Sequence, residues 1–289
     1  MMSTSRAHSL VLLASTLGVV ACAKNPSIPT SRITWVLRWS DEFDGPSGGR
    51  LDSTKWNYDI GDGCAQRNCG WGNNEKEYYT DAAANISLNG RGQLAITARR
   101  APAGLSCYYG PCLSRSGKIT TRDKMFAEPG RVEARIKLPL GQGLWPAFWM
   151  LGHDCLAIPW PTCGEIDIME NKGSQPSTTS SAVHGPGYSG NTPFVHRHTL
   201  ASGTISDDFH KYAVEWDSLH VRFFVDDRVH YEITRAALQH YGKSVLNQSF
   251  FVILSLAVGG SFDGDPTSDA IFPATMLVDY VRVFTPMKQ

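Results

Sequence analysis

The 289-residue chain carries no surplus of either charge: 27 Lys and Arg offset 27 Asp and Glu, for a formal net charge of +0 at pH 7. With no basic run either, it lacks the electrostatic footprint of a nucleic-acid binder, and none is expected as a partner. The run Leu10 to Val20 is too short to span a membrane as a mature helix. No pair of cysteines has tight Cys-x-x-Cys spacing, no segment repeats, and no low-complexity linker marks a second domain. Helical periodicity is scarce as well. What remains is short alternating segments between turns, so all-β is the class the pattern supports.

Several segments carry that pattern. Val132 to Leu138, Leu94 to Ala98 and Tyr212 to Trp216 alternate, Val221 to Tyr231 reads as a hairpin around Asp226-Asp227, and Phe250 to Val258 reads as a buried strand. Gly/Pro/Asn/Ser clusters at 45–49, 184–193 and 259–268 are loops, and Arg235 to Tyr241 is the one short helix expected. Residues 30–289 are expected to form a single domain of the β-sandwich type, preferably a monomer.

The N-terminus reads as an export segment over residues 1–23: Arg6 and His8 precede the apolar run, and small residues follow at Ala21 and Ala23. Val19-Val20-Ala21-Cys22 also resembles a lipobox, in which Cys22 becomes the lipidated first residue; the other reading is an ordinary secretory signal with Cys22 discarded. Either way the product is exported, to the exterior or the cell envelope, with membrane contact only through an N-terminal lipid. Setting Cys22 aside leaves six cysteines in three close pairs, Cys64 with Cys69, Cys107 with Cys112 and Cys155 with Cys163. Three local disulfides outside the cytoplasm are predicted, with buried free thiols or a zinc site as alternatives. Short loops gain little stability from closure, so the bridges are expected to fix loops at a cleft rim.

The most pointed chemistry lies in Gly164-Glu165-Ile166-Asp167-Ile168-Met169-Glu170-Asn171. In a regular strand Glu165 and Asp167 share a face and Glu170 points away; one extra residue, taken as Met169, forms a β-bulge and brings Glu170 back. A helix would scatter the three acids. Carboxylates held close raise one another's pKa, which makes one of them a proton donor near neutral pH. Glycoside hydrolysis uses such a pair. A solvated acidic face is the plain alternative; a calcium hand is not supported, because the loop glycine and twelve-residue spacing are missing.

This strand resembles the active-site strand of glycoside hydrolase family 16 in its bulged, laminarinase-like form, rather than the unbulged Glu-x-Asp-x-Glu form of the lichenases. The likeness extends through Trp39-Ser-Asp-Glu-Phe43, Trp71-Gly-Asn-Asn-Glu75, Gly130 to Lys137, Gly143 to Met150, Tyr212 to Trp216 and Val278 to Val283. It implies a jelly-roll sandwich of two antiparallel sheets, the concanavalin A-like lectin and glucanase fold. It also implies a retaining endo-β-glucanase cutting internal β-1,3 bonds of laminarin-like glucans, with no cofactor required for catalysis. A mixed-linkage β-1,3/1,4-glucanase, an agar-type galactan hydrolase and a non-catalytic glucan-binding protein are the alternatives.

Matched residue by residue, the resemblance makes Glu165 the nucleophile, Glu170 the acid and then base, and Asp167 the tuning residue between them, with the two glutamate carboxyls roughly 5 to 5.5 Å apart. It implies sugar contacts from Asn74, Glu133, Arg135 and His184, and a structural calcium near Glu42 and Asp279. Alternation alone puts Trp145 and Trp149 on one face, as a stacking platform, and Phe148 and Met150 on the other. His196-Arg197-His198 has zinc-like spacing but reads as a loop pair, Asp263-Gly-Asp-Pro266 as an acidic turn, and Asn85 and Asn247 head glycosylation sequons. Two departures from the family pattern stand out: Lys76-Glu77 where relatives carry an apolar residue and glutamine, and Phe262-Asp263 for a common Trp-Pro.

Overall fold

Two sheets packed face to face account for almost all the regular structure in the computed structural model, which describes residues 33–190, 194–268 and 271–287. The export segment and Cys22 lie outside the described residues. One sheet runs in the order Phe194–Thr199, Thr178–His184, Glu165–Glu170, Leu144–Gly152, Phe250–Val258, Lys118–Thr120, Asn57–Tyr58. The other runs Arg228–Thr234, His220–Val225, His210–Trp216, Arg131–Lys137, Ala274–Pro286, Leu94–Arg100, Ser114–Ser116, Glu77–Tyr79, with Trp35–Asp41 and Ile86–Leu88 attached beside it. Pairing is antiparallel except where Glu77–Tyr79 lies parallel to Ser114–Ser116.

The inner faces alternate as period two requires. Val132, Ala134 and Ile136 from one sheet meet Phe148, Met150, Leu254 and Leu256 from the other, all fully buried; each of these but the small Ala134 contributes about 1.5–3 kcal/mol by leaving water. The Asp226-Asp227 hairpin forms as expected, with φ of 49° and 64° at the turn, the doubly left-handed geometry that matches strand twist. The helix Arg235–Tyr241 starts at Thr234, whose Oγ1 accepts the Ala237 N–H at 3.2 Å.

The acid strand is bulged. Toward Leu144–Gly152, Phe148 pairs with Met169 and Trp149 with Asp167, so the ladder steps past Ile168 rather than Met169. Toward Thr178–His184, Asp167 pairs with Ala182 and Glu170 with Ser180, leaving Ile168 and Met169 both opposite Ser181. The irregularity is therefore shared by two apolar residues. Both turn into the core, at 1% and 0% exposure, because each gains by burial, and Glu170 returns to the outer face.

Three disulfides pair Cys64 with Cys69, Cys107 with Cys112 and Cys155 with Cys163. The first two loops are tied by Asp62, which accepts the N–H groups of Cys64 at 3.2 Å and Tyr108 at 2.7 Å. Asn85 is fully buried and donates to the Thr97 carbonyl at 2.8 Å, so its sequon is closed to modification.

Candidate active site

On the outer face of the seven-stranded sheet a cleft is lined by Glu165, Asp167 and Glu170, with Trp145 and Trp149 beside them. The bulge is what assembles it: with this same sequence in a regular, unbulged ladder Glu170 would enter the core. Each glutamate has its own indole donor. Trp160 Nε1–H donates to Glu165 Oε2 at 2.7 Å, and Trp145 Nε1–H to Glu170 Oε1 at 3.0 Å. His184 pairs with Glu165 across the ladder, and its Nε2 lies 3.2 Å from Asp167 Oδ2. The donor atoms of Glu165, Asp167 and His184 fall within 4.8 Å of one another.

Burial and mutual repulsion hold all three carboxyls above the ordinary range. Glu165 is raised by desolvation and by the charge of Asp167, against which His184 and Trp160 act. Asp167, 3% exposed, is raised by desolvation and then by Glu170. Glu170 is pushed up to about 8 by desolvation and by Glu165, with Trp145 and Lys172 opposing. Like charges in a space this dry cannot all ionise, so the site retains a proton through neutral pH. Each indole favours the charged form of the glutamate it donates to, and the bond to Glu165 is the shorter of the two.

The expected residues divide between the two sheets. Trp145 and Trp149 share the cleft face, opposite Phe148 and Met150 as alternation requires. Trp145 is already stacked on Phe262, with ring centroids 4.4 Å apart and planes at 20°, so the departure at position 262 supplies half of an aromatic pair. Asn74 sits exposed at the rim, its Nδ2 donating to Ser261 Oγ at 3.0 Å. Glu133 and Arg135 do not join the cleft. They lie on Arg131–Lys137 in the other sheet, where Arg131 Nε donates to Glu133 Oε2 at 2.9 Å and Arg135 Nη1 to Asp279 Oδ2 at 2.9 Å. Alternation pairs them on one face but is blind to which sheet a strand enters.

Nor do Glu42 and Asp279 form a cation's donor set. Both Glu42 oxygens accept from Arg282, at 3.0 and 2.7 Å, and Asp279 is taken by Arg135. Guanidinium groups fill the places the resemblance assigns to calcium, and the side chains do not fit an ion there. Asp263 is a staple: its Oδ2 accepts the N–H groups of Gly143 at 2.9 Å and Ser174 at 3.0 Å, and its Oδ1 accepts the Ser174 hydroxyl.

Sequence reasoning missed several cleft residues. Trp160 belongs to the loop closed by Cys155 and Cys163, and nothing in its local pattern points to a glutamate. Lys118 Nζ lies 4.0 Å over the Trp71 ring and 5.1 Å over Trp149, fixing two aromatics at the cleft floor. Beneath them Glu75 and the fully buried Glu77 form a second carboxyl pair. Tyr79 Oη donates to Glu75 Oε2 at 3.2 Å, and the Val258 N–H donates to Glu77 Oε2 at 2.7 Å. Desolvation raises both, and Glu75 raises Glu77 further. The departure at Lys76-Glu77 was the available signal for this pair.

Residues 65–281 match the glycosyl hydrolases of family 16. Over 260 residues the chain is 38% identical to the beta-glucanase of Rhodothermus marinus, covering 86% of this chain and 85% of that one. It is 37% identical over 265 residues to glucan endo-1,3-beta-glucosidase A1 of Niallia circulans, covering 86% of this chain but 37% of that longer protein. Among solved structures, the laminarinase catalytic domain from Thermotoga maritima superposes with a TM-score of 0.82 at 41% identity, covering 88% of this chain and 99% of that one.

Proposed function

This chain belongs to glycosyl hydrolase family 16, and from that premise we propose that it is a retaining endo-β-1,3-glucanase acting on laminarin-like glucans. The observation that carries the reading is the bulge that sets Glu165 and Glu170 on one face, each under its own indole N–H. Glu165 attacks the anomeric carbon while the bond to the leaving sugar breaks, and the proton on Glu170 moves to the departing oxygen. A water molecule, giving its proton to Glu170, then cleaves the glycosyl ester and restores both carboxyls, so configuration is retained. Asp167 lies between them and is coupled electrostatically to Glu170, so that the buried acids hold a proton among them and Asp167 tunes its two neighbours.

Trp145 stacked on Phe262, and Trp149 with Trp71 flanking Lys118, supply flat apolar faces along the cleft for pyranose rings. His184, beside Asp167, contributes to the leaving-group side, and Asn74 to the rim. A non-catalytic glucan-binding role is disfavoured, because such a protein has no use for two paired glutamates at the cleft.

Mass spectrometry of products from laminarin, lichenan and agarose, incubated side by side, tests the reading. Internal cleavage of laminarin is expected; digestion of agarose alone would move the substrate to galactans, and digestion of none would leave a binding protein.

We infer also that the protein is exported, with Cys22 as the lipid-bearing first residue. Three disulfides support an oxidising compartment. Mass analysis of the mature N-terminus tests this: an unmodified residue after Cys22 as the first residue would replace the anchor with simple secretion.

A further inference from the structure

His196 and His198 stand two residues apart on Phe194–Thr199, an edge strand of the sheet that bears the cleft, so their side chains share a face. That face is the inner one, since Val195 and Arg197 line the outer groove beside Glu170. Opposite runs Arg228–Thr234, the edge strand of the other sheet. Its ladder steps from Phe223–Tyr231 to Phe224–Val229, so His230 is the residue left over in a bulge. The bulge turns His230 toward the first two histidines: ring centroids are 5.7 Å from His196 to His230 and 5.2 Å from His198 to His230.

The tautomer of His230 follows from its partners. Ser181 Oγ donates its proton to the Ile168 carbonyl at 2.8 Å, so toward His230 Nε2, 3.3 Å away, it can only accept. Nε2 therefore carries the hydrogen. Nδ1 is left with a bare lone pair, buried and without a hydrogen-bond partner. A histidine oriented by a hydroxyl through one nitrogen and free at the other has the arrangement of a metal ligand with its outer support.

We propose that His196, His198 and His230 form a binding site for a zinc-class divalent cation that clasps the open edges of the two sheets. With metal–nitrogen bonds of about 2.0–2.1 Å in tetrahedral array, three imidazole centroids sit roughly 5 Å apart, close to the spacings found here. The donor nitrogens are not gathered as tightly as those of Glu165, Asp167 and His184, so side-chain rotation completes the set. An all-imidazole donor set selects Zn²⁺, Ni²⁺ or Cu²⁺ over Ca²⁺ and Mg²⁺. Burial keeps His198 and His230 in the neutral, ligating form; His230 is lowered to about 4, first by desolvation and then by its two neighbours. The titratable groups nearby are Asp226, which favours a positive charge on His198, and His210, whose Nδ1 lies 2.8 Å from Asp226 Oδ2. The chain from His230 through Ser181 ends on Ile168, the bulge residue of the acid strand, so an ion in the clasp stiffens the element that aims Glu170.

The test uses the full chain without a polyhistidine tag, titrated with Zn²⁺ by calorimetry against a competing chelator, with Tm read in parallel and Ca²⁺ as control. One Zn²⁺ per chain, a higher Tm with Zn²⁺ and no response to Ca²⁺ are expected. His230→Ala and His198→Gln should each weaken binding at least about ten-fold, and Ser181→Ala about ten-fold through loss of ligand orientation. His184→Ala should bind Zn²⁺ as the parent does. Absence of Zn²⁺ binding in the parent overturns the proposal, as does binding lost with His184→Ala and kept in His198→Gln. Circular dichroism checks the fold of each variant, and His198→Gln, on an edge strand, carries the test should His230→Ala fail to fold.

Discussion

Trp160 Nε1–H lies 2.7 Å from Glu165 Oε2, so the residue proposed as nucleophile is held by a side chain from a loop that a disulfide closes. A donor on one oxygen favours the carboxylate form and leaves the other oxygen to the sugar. Reducing that loop's order should therefore cost catalysis before it costs stability. Replacing Cys155 and Cys163 by serine is expected to lower kcat/KM about ten-fold, in line with the sensitivity of reacting groups to small misplacements, with a modest Tm change. A large Tm drop with kcat/KM unchanged would count against it.

Removing either glutamate separates their roles. Glu165→Gln should abolish turnover while oligosaccharide binding persists, and Glu170→Gln should slow it by about 10²–10⁴-fold, the usual contribution of a positioned proton donor. Steady-state hydrolysis and calorimetric binding measure the two effects. Undiminished turnover in Glu165→Gln would sink the mechanism.

Glu170, raised to about 8, must be protonated to act, so activity should fall as pH rises through about 8. Trp145 donates to its ionised form and holds that value down. In Trp145→Phe the alkaline limb of the kcat/KM profile should move to higher pH, whatever happens to its height. A limb that stays in place would show that Trp145 serves the sugar alone.

Glu77 retains a proton in the fold that it gives up when unfolded, since burial raises it well above its ordinary value. The sign follows: the native state binds more protons, so stability is highest below the unfolded pKa and declines as pH rises above it. Glu77→Gln removes that dependence. Its Tm should match the parent near pH 4 and exceed it near pH 8; each 1 kcal/mol corresponds to about 2–4 °C for a domain of this size. Equal Tm at both pH values would show that the pair costs nothing to bury.

Deleting Met169 leaves Glu-Ile-Asp-Ile-Glu, which reaches one face by plain alternation. Hydrolysis should survive at a reduced rate, with stability lower by about 2–5 kcal/mol for the lost core side chain. Denaturant melts and laminarin assays measure both. Complete inactivity in a folded protein would make the bulge itself, and not merely the shared face, essential.

Much was legible from one dimension. Period-two alternation placed Phe148 and Met150 in the core and Trp145 and Trp149 on the outside, because strand geometry ties neighbours to opposite faces. Close cysteines paired because short loops cannot reach elsewhere easily. What stayed hidden involved choices between distant partners. Glu133 and Arg135 shared a face as expected, but that face belongs to the sheet away from the cleft. His196 and His198 read as a loop pair until a bulge 32 residues beyond His198 delivered His230.

Local sequence, then, determined the class of fold, the strand faces and the carboxylate strand, since these rest on steric and hydrophobic rules acting over a few residues. Tertiary structure alone decided which sheet each strand entered, how Ile168 and Met169 share the bulge, and which indole met which glutamate. The first depends on packing between strands about a hundred residues apart, as where Leu144–Gly152 pairs with Phe250–Val258, and the others on loops and ladders that this packing brings together, where side-chain shape and burial, and not spacing, select the partner.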